Sequence, residues 1–126
     1  MTIRQVRPDD AGQITELYNW YIVNGVESFE TEPLPVSEML SRIEHISASY
    51  PYYVAEVDGK VAGYCYAHLW KERAAYLNTL ETTIYLNPEF KRHGAGTALM
   101  DRLIADCRRM GVKALIACIT GENEAS

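Results

Sequence analysis

Hydrophobic residues recur along the chain with two spacings, every third or fourth residue in some segments and every second residue in others. The first spacing is typical of an amphipathic helix and the second of a half-buried strand. Helical spacing predicts three helices, which run from Pro8 to Asn24, from Pro35 to Ile46 and from Ala98 to Met110. Apolar or alternating runs predict five strands, at Ile3 to Val6, Tyr52 to Val57, Val61 to Leu69, Tyr76 to Leu86 and Ala114 to Ile119.

Turn-forming residues lie between these elements. Asp58-Gly59 joins the second and third strands, and this dipeptide favours the tight turn of a hairpin. Gly25 and Gly111 each follow a predicted helix, where glycine commonly ends helical structure. The resulting order, β-α-α-β-β-β-α-β, combines an antiparallel meander with a strand–helix–strand crossover. We therefore predict a single α/β (mixed α+β) domain over residues 1–126, with one mixed sheet and helices on both of its faces.

Composition narrows the range of partners. The 126 residues are 48% hydrophobic and 23% charged, as in an ordinary globular domain. The net charge of −5 argues against a general nucleic-acid-binding protein, which would carry a basic surface. No apolar run approaches the roughly 20 residues of a membrane span, and the N-terminus lacks an apolar signal region. Three cysteines without a Cys-x-x-Cys pair fit buried thiols in a reducing compartment, so we expect a cytoplasmic protein without nucleic-acid or membrane partners.

A glycine-containing segment joins the fourth predicted strand to the third predicted helix. Its sequence is Lys91-Arg92-His93-Gly94-Ala95-Gly96-Thr97. The two glycines let the backbone turn tightly and approach a ligand, and the helix beyond offers unpaired N–H groups. The pattern differs from the dinucleotide fingerprint and from the P-loop, so a glycine-rich turn that merely begins a helix is the alternative. Because two cationic side chains flank the glycines, we predict that the segment binds a pyrophosphate.

Glu81 places a carboxylate in the middle of the fourth predicted strand. Alternation along a strand puts Leu80, Thr82, Ile84 and Leu86 on one face and Glu81, Thr83 and Tyr85 on the other. Burial generally raises the pKa of a carboxyl group, and a raised pKa suits a general base near neutral pH. The alternative is a structural ion pair with Lys71 or Arg73.

The loop before this strand is a candidate for substrate recognition. It runs from Trp70 to Tyr76 and contains both aromatic residues and two cationic side chains. Either it is a solvated charged turn, or Arg73 recognises the carboxylate of a small substrate. Phe29, in the connector after the first helix, is a weaker candidate. No metal-ligand spacing and no Gly-x-Ser-x-Gly elbow occur, so neither a metal nor a covalent mechanism is predicted.

Together these motifs resemble those of the Gcn5-related N-acetyltransferase (GNAT) superfamily. The segment Glu81-x-x-Ile84-Tyr85-Leu86, followed by Lys91-Arg92-His93-Gly94-Ala95-Gly96, is similar to the cofactor-binding segment of that superfamily. Within the superfamily, Trp70-Lys71-Glu72-Arg73 and Glu81-Thr82-Thr83-Ile84-Tyr85 resemble the branch of phosphinothricin and methionine sulfoximine N-acetyltransferases. The resemblance covers nearly the whole chain.

The resemblance implies an acetyl-CoA-dependent N-acetyltransferase that acts on the primary amine of a small amino-acid-like substrate and forms a homodimer. By similarity, Glu81 is the general base. The implied cofactor contacts are the backbone of Ile84, Tyr85 and Leu86 for the pantetheine arm, Arg92, His93, Gly94, Ala95, Gly96 and Thr97 for the pyrophosphate, and Asn123 for the CoA arm. The expected substrate contacts are Phe29, Arg73 and Tyr76.

The chain departs from the family pattern in two ways. Lys91 occupies the first position of the glycine motif, where Gln or Arg is usual, and it keeps the charge but lacks a planar fork. Family members continue past Asn123-Glu124-Ala125-Ser126 into another helix and two strands, so we expect a C-terminally truncated domain. A CoA-binding module without catalysis and an acetyltransferase of protein N-termini or lysines remain the alternative interpretations.

Overall fold

The computed structural model describes residues 1–24, 32–69, 79–90, 94–110 and 114–120, with the backbone alone at 69, 79 and 114–120. The strands are β1 (Thr2–Gln5), β2 (Tyr52–Val57), β3 (Lys60–Leu69), β4 (Thr79–Leu86) and β5 (Ala114–Thr120). The helices are α1 (Ala11–Val23), α2 (Val36–Ser47) and α3 (Ala95–Arg109). Short 3₁₀ turns occupy Pro8–Asp10 and Pro88–Phe90. The predicted order of elements is therefore confirmed.

The five strands form one sheet in which spatial order follows sequence order, β1-β2-β3-β4-β5. The first four strands are antiparallel to their neighbours, and β5 pairs with β4 in parallel after the crossover through α3. Asp58 and Gly59 have φ values of 50° and 79°, as a two-residue hairpin turn between β2 and β3 requires. The predicted mixed sheet and its hairpin are both present.

Helices cover both faces of the sheet, as predicted. The face covered by α3 holds one buried cluster, to which the sheet contributes Tyr53, Ala55, Ala62, Cys65, Ala67, Leu80, Ile84 and Leu86. The face covered by α1 and α2 holds a second cluster, to which the sheet contributes Tyr52, Val54, Val61, Tyr64 and Tyr85. We call these the α3 face and the α1–α2 face. Because Leu80, Ile84 and Leu86 pack on one face and Tyr85 on the other, the alternation predicted for β4 is confirmed.

All three helices begin later or earlier than predicted. The first α-helix begins at Ala11, after the Pro8–Asp10 3₁₀ turn, rather than at Pro8. The third helix begins at Ala95 rather than at Ala98, so Gly96 and Thr97 belong to its first turn. Pro35 has extended backbone angles, φ −75° and ψ 156°, and precedes the first helical residue of α2 instead of being that residue. None of the described helices is long and apolar enough to cross a membrane.

A close approach at Gly63 sets the distance between α3 and the sheet. A Cβ atom at this position would lie 2.8 Å from the Leu86 Cδ2 atom, 3.0 Å from the Tyr85 carbonyl oxygen and 3.3 Å from the Leu99 Cδ1 atom. The first distance is shorter than real Cβ contacts, and the other two are tighter than most. Glycine at this position therefore lets α3 pack directly against the end of β4.

A partly buried ion-pair network, centred on the buried carboxylate of Asp10, attaches the N-terminal strand to α1. The Arg4 guanidinium contacts both carboxylate oxygens of Asp10 at 2.8 Å and the Glu56 Oε1 atom at 2.6 Å. The Arg7 backbone N–H donates to the Asp10 Oδ2 atom at 2.7 Å. Burial opposes ionisation of Asp10, but the hydrogen bonds from Arg4 and Arg7 outweigh it and hold the pKa of this carboxyl below its ordinary value. The network fixes the residues that lead into α1.

Candidate functional site

The N-terminus of α3 presents backbone N–H groups without a side-chain cap. Gly94 precedes the helix in a left-handed conformation, with φ 74° and ψ 14°, and its carbonyl accepts from the Ala98 N–H at 3.0 Å. The N–H groups of Ala95, Gly96 and Thr97 lie in the first turn, where no intrahelical acceptor exists. Among the described residues, no side chain caps this helix end. Such a terminus suits an anionic group.

The connection from β4 to this helix end is fixed at its first residue, Asn87. Its backbone N–H donates to the Ala62 carbonyl at 2.8 Å. Its side-chain amide donates to the Val61 carbonyl at 3.3 Å and accepts from the Glu89 N–H at 3.0 Å. The turn after β4 is therefore attached to the beginning of β3. Lys91, Arg92 and His93, which complete the predicted pyrophosphate segment, lie outside the described residues.

The edge of β4 predicted to bind a pantetheine arm is largely occupied by β5. The parallel register runs from Thr79 opposite Ala114 to Tyr85 opposite Thr120. The Asn87 N–H donates to a carbonyl of β3, and the backbone N–H and C=O groups of successive strand residues point to opposite edges. The backbone groups of Tyr85 therefore point to β3, and those of Ile84 and Leu86 point to the β5 edge. Ile84 and Tyr85 lie opposite described residues of β5, whose description ends at Thr120. The cofactor contacts of Ile84, Tyr85 and Leu86 stay predictions, and a contact with the Ile84 backbone would require β5 to separate from β4.

Glu81 lies near the other end of β4, on the α1–α2 face, and is half-buried. Its direct partner across the ladder is His68 of β3. The His68 ring contacts the Tyr50 ring edge-on, with 5.2 Å between centroids, and lies 6.1 Å from the His45 ring of α2. Glu81 makes no ion pair with another described residue. The alternative, a structural pair with Lys71 or Arg73, involves residues outside the described part of the chain.

A group of tyrosines covers the α1–α2 face between Glu81 and the end of β4. Neighbouring rings lie 5.0 to 6.1 Å apart by centroid, and the group comprises Tyr18, Tyr21, Tyr52, Tyr64, Tyr66 and Tyr85. Burial raises the pKa of Tyr52 and Tyr64 well above the ordinary value for a phenol. Burial also raises the pKa of Tyr66, although a hydrogen bond with Thr83 opposes that shift. These phenols therefore stay neutral and act as apolar surface with hydrogen-bonding tips.

The sequence-based hypotheses did not include this tyrosine group. Its signal in the sequence is tyrosine at every second position of a strand, Tyr64 and Tyr66, and three residues apart on a helix, Tyr18 and Tyr21. The predicted substrate contacts Phe29, Arg73 and Tyr76 and the predicted CoA contact Asn123 all lie outside the described residues. In the part of the chain that the structure describes, no three His, Cys, Asp or Glu residues are grouped to hold a metal ion.

Comparison with known proteins gives consistent matches. The family model of the acetyltransferase (GNAT) family matches residues 14–126. Phosphinothricin N-acetyltransferase of Streptomyces viridochromogenes is 36% identical over 98% of this chain and 68% of its own length. The enzyme of the same name from Alcaligenes faecalis is 41% identical over 92% of this chain and 59% of its own length.

A solved structure matches to a similar extent. The phosphinothricin acetyltransferase of Sinorhizobium meliloti, crystallised with acetyl-CoA, superposes with a TM-score of 0.87 at 38% sequence identity. The match covers 92% of this chain and 64% of that one. The chain thus spans between 59% and 68% of the length of these three proteins.

Proposed function

The chain belongs to the acetyltransferase (GNAT) family, and from this membership we propose that the protein transfers an acetyl group from acetyl-CoA to the primary amine of a small amino-acid-like substrate. The arrangement along β4 carries the proposal. Glu81 lies near the beginning of the strand, and the left-handed Gly94 with the uncapped start of α3 follows the strand's end. The strand rise places about 17 Å between Glu81 and Leu86. This separation suits a long co-substrate with phosphates at one end and a reactive acyl group at the other.

Acetyl-CoA fits the groups that the structure presents. The N–H groups of Ala95, Gly96 and Thr97 would hold its pyrophosphate, because a helix N-terminus combines unpaired donors with the positive end of the dipole. The backbone groups of Ile84 and Leu86, which face the β5 edge, would pair with the pantetheine arm once β5 separates from that edge. Contacts from Arg92, His93 and Asn123 belong to the same proposal. When bound, acetyl-CoA supplies the acetyl group as an activated thioester.

Glu81 would act as the general base. An amine is nucleophilic only after its ammonium form has lost a proton, and a carboxylate can accept that proton directly or through one water. Glu81 is suited to this role because it is half-buried and makes no ion pair with another described residue, so its oxygens remain able to accept. Its position opposite His68 leaves it on the face where the tyrosine rings form an apolar surface.

The proposed substrate class is a small α-amino acid with a second polar end, such as phosphinothricin, methionine sulfoximine or methionine sulfone. Support comes from the relatives named phosphinothricin N-acetyltransferase. Arg73 would bind the substrate carboxylate, since a guanidinium can donate two parallel hydrogen bonds to it. Phe29 and Tyr76 would contact the rest of the substrate.

The test is the release of free thiol from acetyl-CoA by the purified protein with each of these three amino acids. We expect release that depends on both the amine and an intact Glu81. Binding of CoA without thiol release from any amine would instead identify a non-catalytic CoA-binding module. Release with peptides carrying free N-termini or lysines, but not with amino acids, would identify a protein acetyltransferase.

We also propose that the protein is a cytoplasmic homodimer. The thiols of Cys65 and Cys107 are free and buried, as is usual in a reducing compartment. Light scattering coupled to size-exclusion chromatography measures the mass in solution, and a monomer mass at all concentrations would contradict the dimer.

A further inference from the structure

Two histidine rings lie close together at the end of the α1–α2 face that holds Glu81. His45 is in the last turn of α2 and His68 is near the end of β3, and their ring centroids are 6.1 Å apart. His68 is half-buried and His45 is exposed. The pair therefore extends from the surface of the sheet to solvent, and the proposed mechanism gives it no role.

The neighbours of His68 fix its ring beside the proposed general base. The Tyr50 ring meets it edge-on, with 5.2 Å between centroids, and the His45 ring is tilted against it by 58°. Across the β3–β4 ladder, His68 is the direct partner of Glu81. Directly opposed residues have Cβ atoms roughly 5 Å apart, so the imidazole and the carboxylate border the same small region.

The hydrogen-bonding groups of the two imidazoles are not used by the part of the chain that the structure describes. Neither His45 nor His68 forms a hydrogen bond or an ion pair with another described residue. A neutral imidazole carries one N–H donor and a protonated one carries two. Polar groups withdrawn from water normally have a hydrogen-bond partner. A half-buried donor beside the general base therefore indicates an acceptor that the substrate brings.

Arg42 adds a positive charge one turn before His45 on α2. Its Nε atom lies 3.4 Å from the Glu38 Oε1 atom. Burial raises the pKa of Tyr66 and the charge of Arg42 lowers it, so the guanidinium lies near the Tyr66 phenol. Tyr66 and His68 are two positions apart on β3 and share one face of the sheet. The helix thus directs two basic side chains toward this part of the sheet, which favours an anionic acceptor.

We propose that His45 and His68 bind an anionic group at the second end of the substrate and make the enzyme prefer amino acids that carry one. The inference rests on the proposed function, because it places the substrate amine at Glu81. In phosphinothricin the phosphinate is attached to the γ-carbon, about 5 Å from the amine nitrogen, which matches the spacing of side chains in a cross-strand pair. An ionised acceptor also forms the stronger hydrogen bonds.

Phosphinothricin and methionine sulfone separate the effect of charge from that of shape. Both are α-amino acids with a methyl-bearing group on the γ-carbon, but the phosphinate is negatively charged and the sulfone is neutral. Calorimetry measures the binding of each by the full chain, with and without CoA. We expect the unmodified protein to bind phosphinothricin about tenfold more tightly, the effect of a hydrogen bond to a charged group. His68→Phe keeps a planar ring without N–H groups and should lose this preference.

His45→Ala is the second variant, and it decides the question if His68→Phe does not fold. Because His45 is exposed, its removal should leave the unfolding temperature unchanged and weaken the binding of phosphinothricin alone. Lys60→Ala is the matched control. It removes an exposed positive charge at the other end of β3, and it should alter the affinity for neither amino acid.

Equal affinity of the unmodified protein for the two amino acids would overturn the inference, as would equal weakening of both in the histidine variants. Thiol release with methionine sulfone would in either case leave the proposed function standing. Binding of neither amino acid to the unmodified protein would also overturn the inference. The proposed function fails separately, if no amine causes thiol release from acetyl-CoA.

Discussion

Glu81 and His68 lie directly opposite each other in the β3–β4 ladder, so a carboxylate and an imidazole share the α1–α2 face of the sheet. Directly opposed residues in an antiparallel pair have Cβ atoms roughly 5 Å apart, which puts their side chains within reach of each other. The contacts of the His68 ring with Tyr50 and His45 limit its movement. The pair marks the end of β4 that is distant from Gly94.

Glu81→Gln should lower kcat by about 100-fold or more, because loss of a general base typically costs that much. The acetyl-CoA dissociation constant should change little, since Glu81 is at the opposite end of the strand from the proposed pyrophosphate site. Steady-state kinetics across pH provides the measurement. Glu44→Gln, at an exposed position on α2, is the control and should behave as the unmodified protein. Wild-type turnover by Glu81→Gln at every pH would remove Glu81 from the mechanism.

Gly94→Ala should weaken CoA binding as well as stability. Its φ of 74° is costly for a residue with a Cβ atom, by about 1 kcal/mol or more. Gly59→Ala introduces the same kind of strain in the β2–β3 hairpin, where φ is 79° and no ligand is proposed. Chemical denaturation should show a similar loss of stability for both variants. Calorimetry should show weaker CoA binding only for Gly94→Ala. Equal CoA affinity in the two variants would argue against a pyrophosphate site at this turn.

Gly63→Ala should destabilise the fold by about 1–3 kcal/mol, the usual cost of overpacking a core. The added methyl group would meet Leu86, Leu99 and the Tyr85 carbonyl, and the backbone oxygen cannot move aside without shifting β4. Gly12→Ala is the comparison, because a Cβ atom at Gly12 meets nothing within 4 Å. Denaturant unfolding of both variants measures the difference. An unchanged stability in Gly63→Ala would show that the packing around Gly63 is loose enough to accommodate a methyl group.

Stability should depend on the ionisation of Asp10. Its pKa in the folded protein lies below the unfolded value of about 3.9, so the ionised carboxylate stabilises the fold fully above that pH. The contribution is lost as the pH falls through the lowered pKa. Asp10→Asn should cost about 3 kcal/mol at pH 7, because it leaves Arg4 without its principal partner, and the difference from the unmodified protein should shrink in acid. Denaturant unfolding from pH 7 to pH 2 tests this, and a difference independent of pH would contradict it.

Cys65 and Cys107 should not react with thiol reagents while the protein is folded. Burial raises the pKa of Cys65 to about 12 and also raises the pKa of Cys107, so little reactive thiolate forms at pH 8. Labelling with a disulfide reagent followed by peptide mass mapping should find both thiols protected, and both should react in urea. Rapid modification of either one in the native protein would show that its part of the core opens readily.

Local patterns allowed much of this fold to be predicted. The two faces of β4 followed from alternation, and the β2–β3 turn followed from Asp58-Gly59, because both features depend on neighbouring residues. The start of α3 was misplaced because glycine has low helix propensity. In the structure Ala95 and Gly96 are buried in the first turn, so tertiary packing outweighs that propensity.

The candidate site also contains residues that could be predicted from the local sequence and contacts that could not. Glu81 and Gly94 were identified from the sequence because each is unusual in its own segment. The hydrogen bond from the Tyr21 hydroxyl to the Leu86 carbonyl was not identified, since it depends on how α1 lies over the sheet. The position of His68 opposite Glu81 was also missed, because it depends on the exact register of two strands.

The spatial order of the sheet has a consequence for the folding pathway. Since every strand pairs with its neighbour in sequence, the meander from β2 to β4 can assemble through short-range closures, beginning at the two-residue hairpin. The parallel β5 must wait for the longer connection that contains α3 to close, and β1 must wait for the still longer connection that contains α1 and α2. Pulsed hydrogen exchange during refolding should therefore protect the amides of β2 and β3 before those of β5, so that the edge of β4 beside the proposed cofactor site is completed only after the central strands have paired.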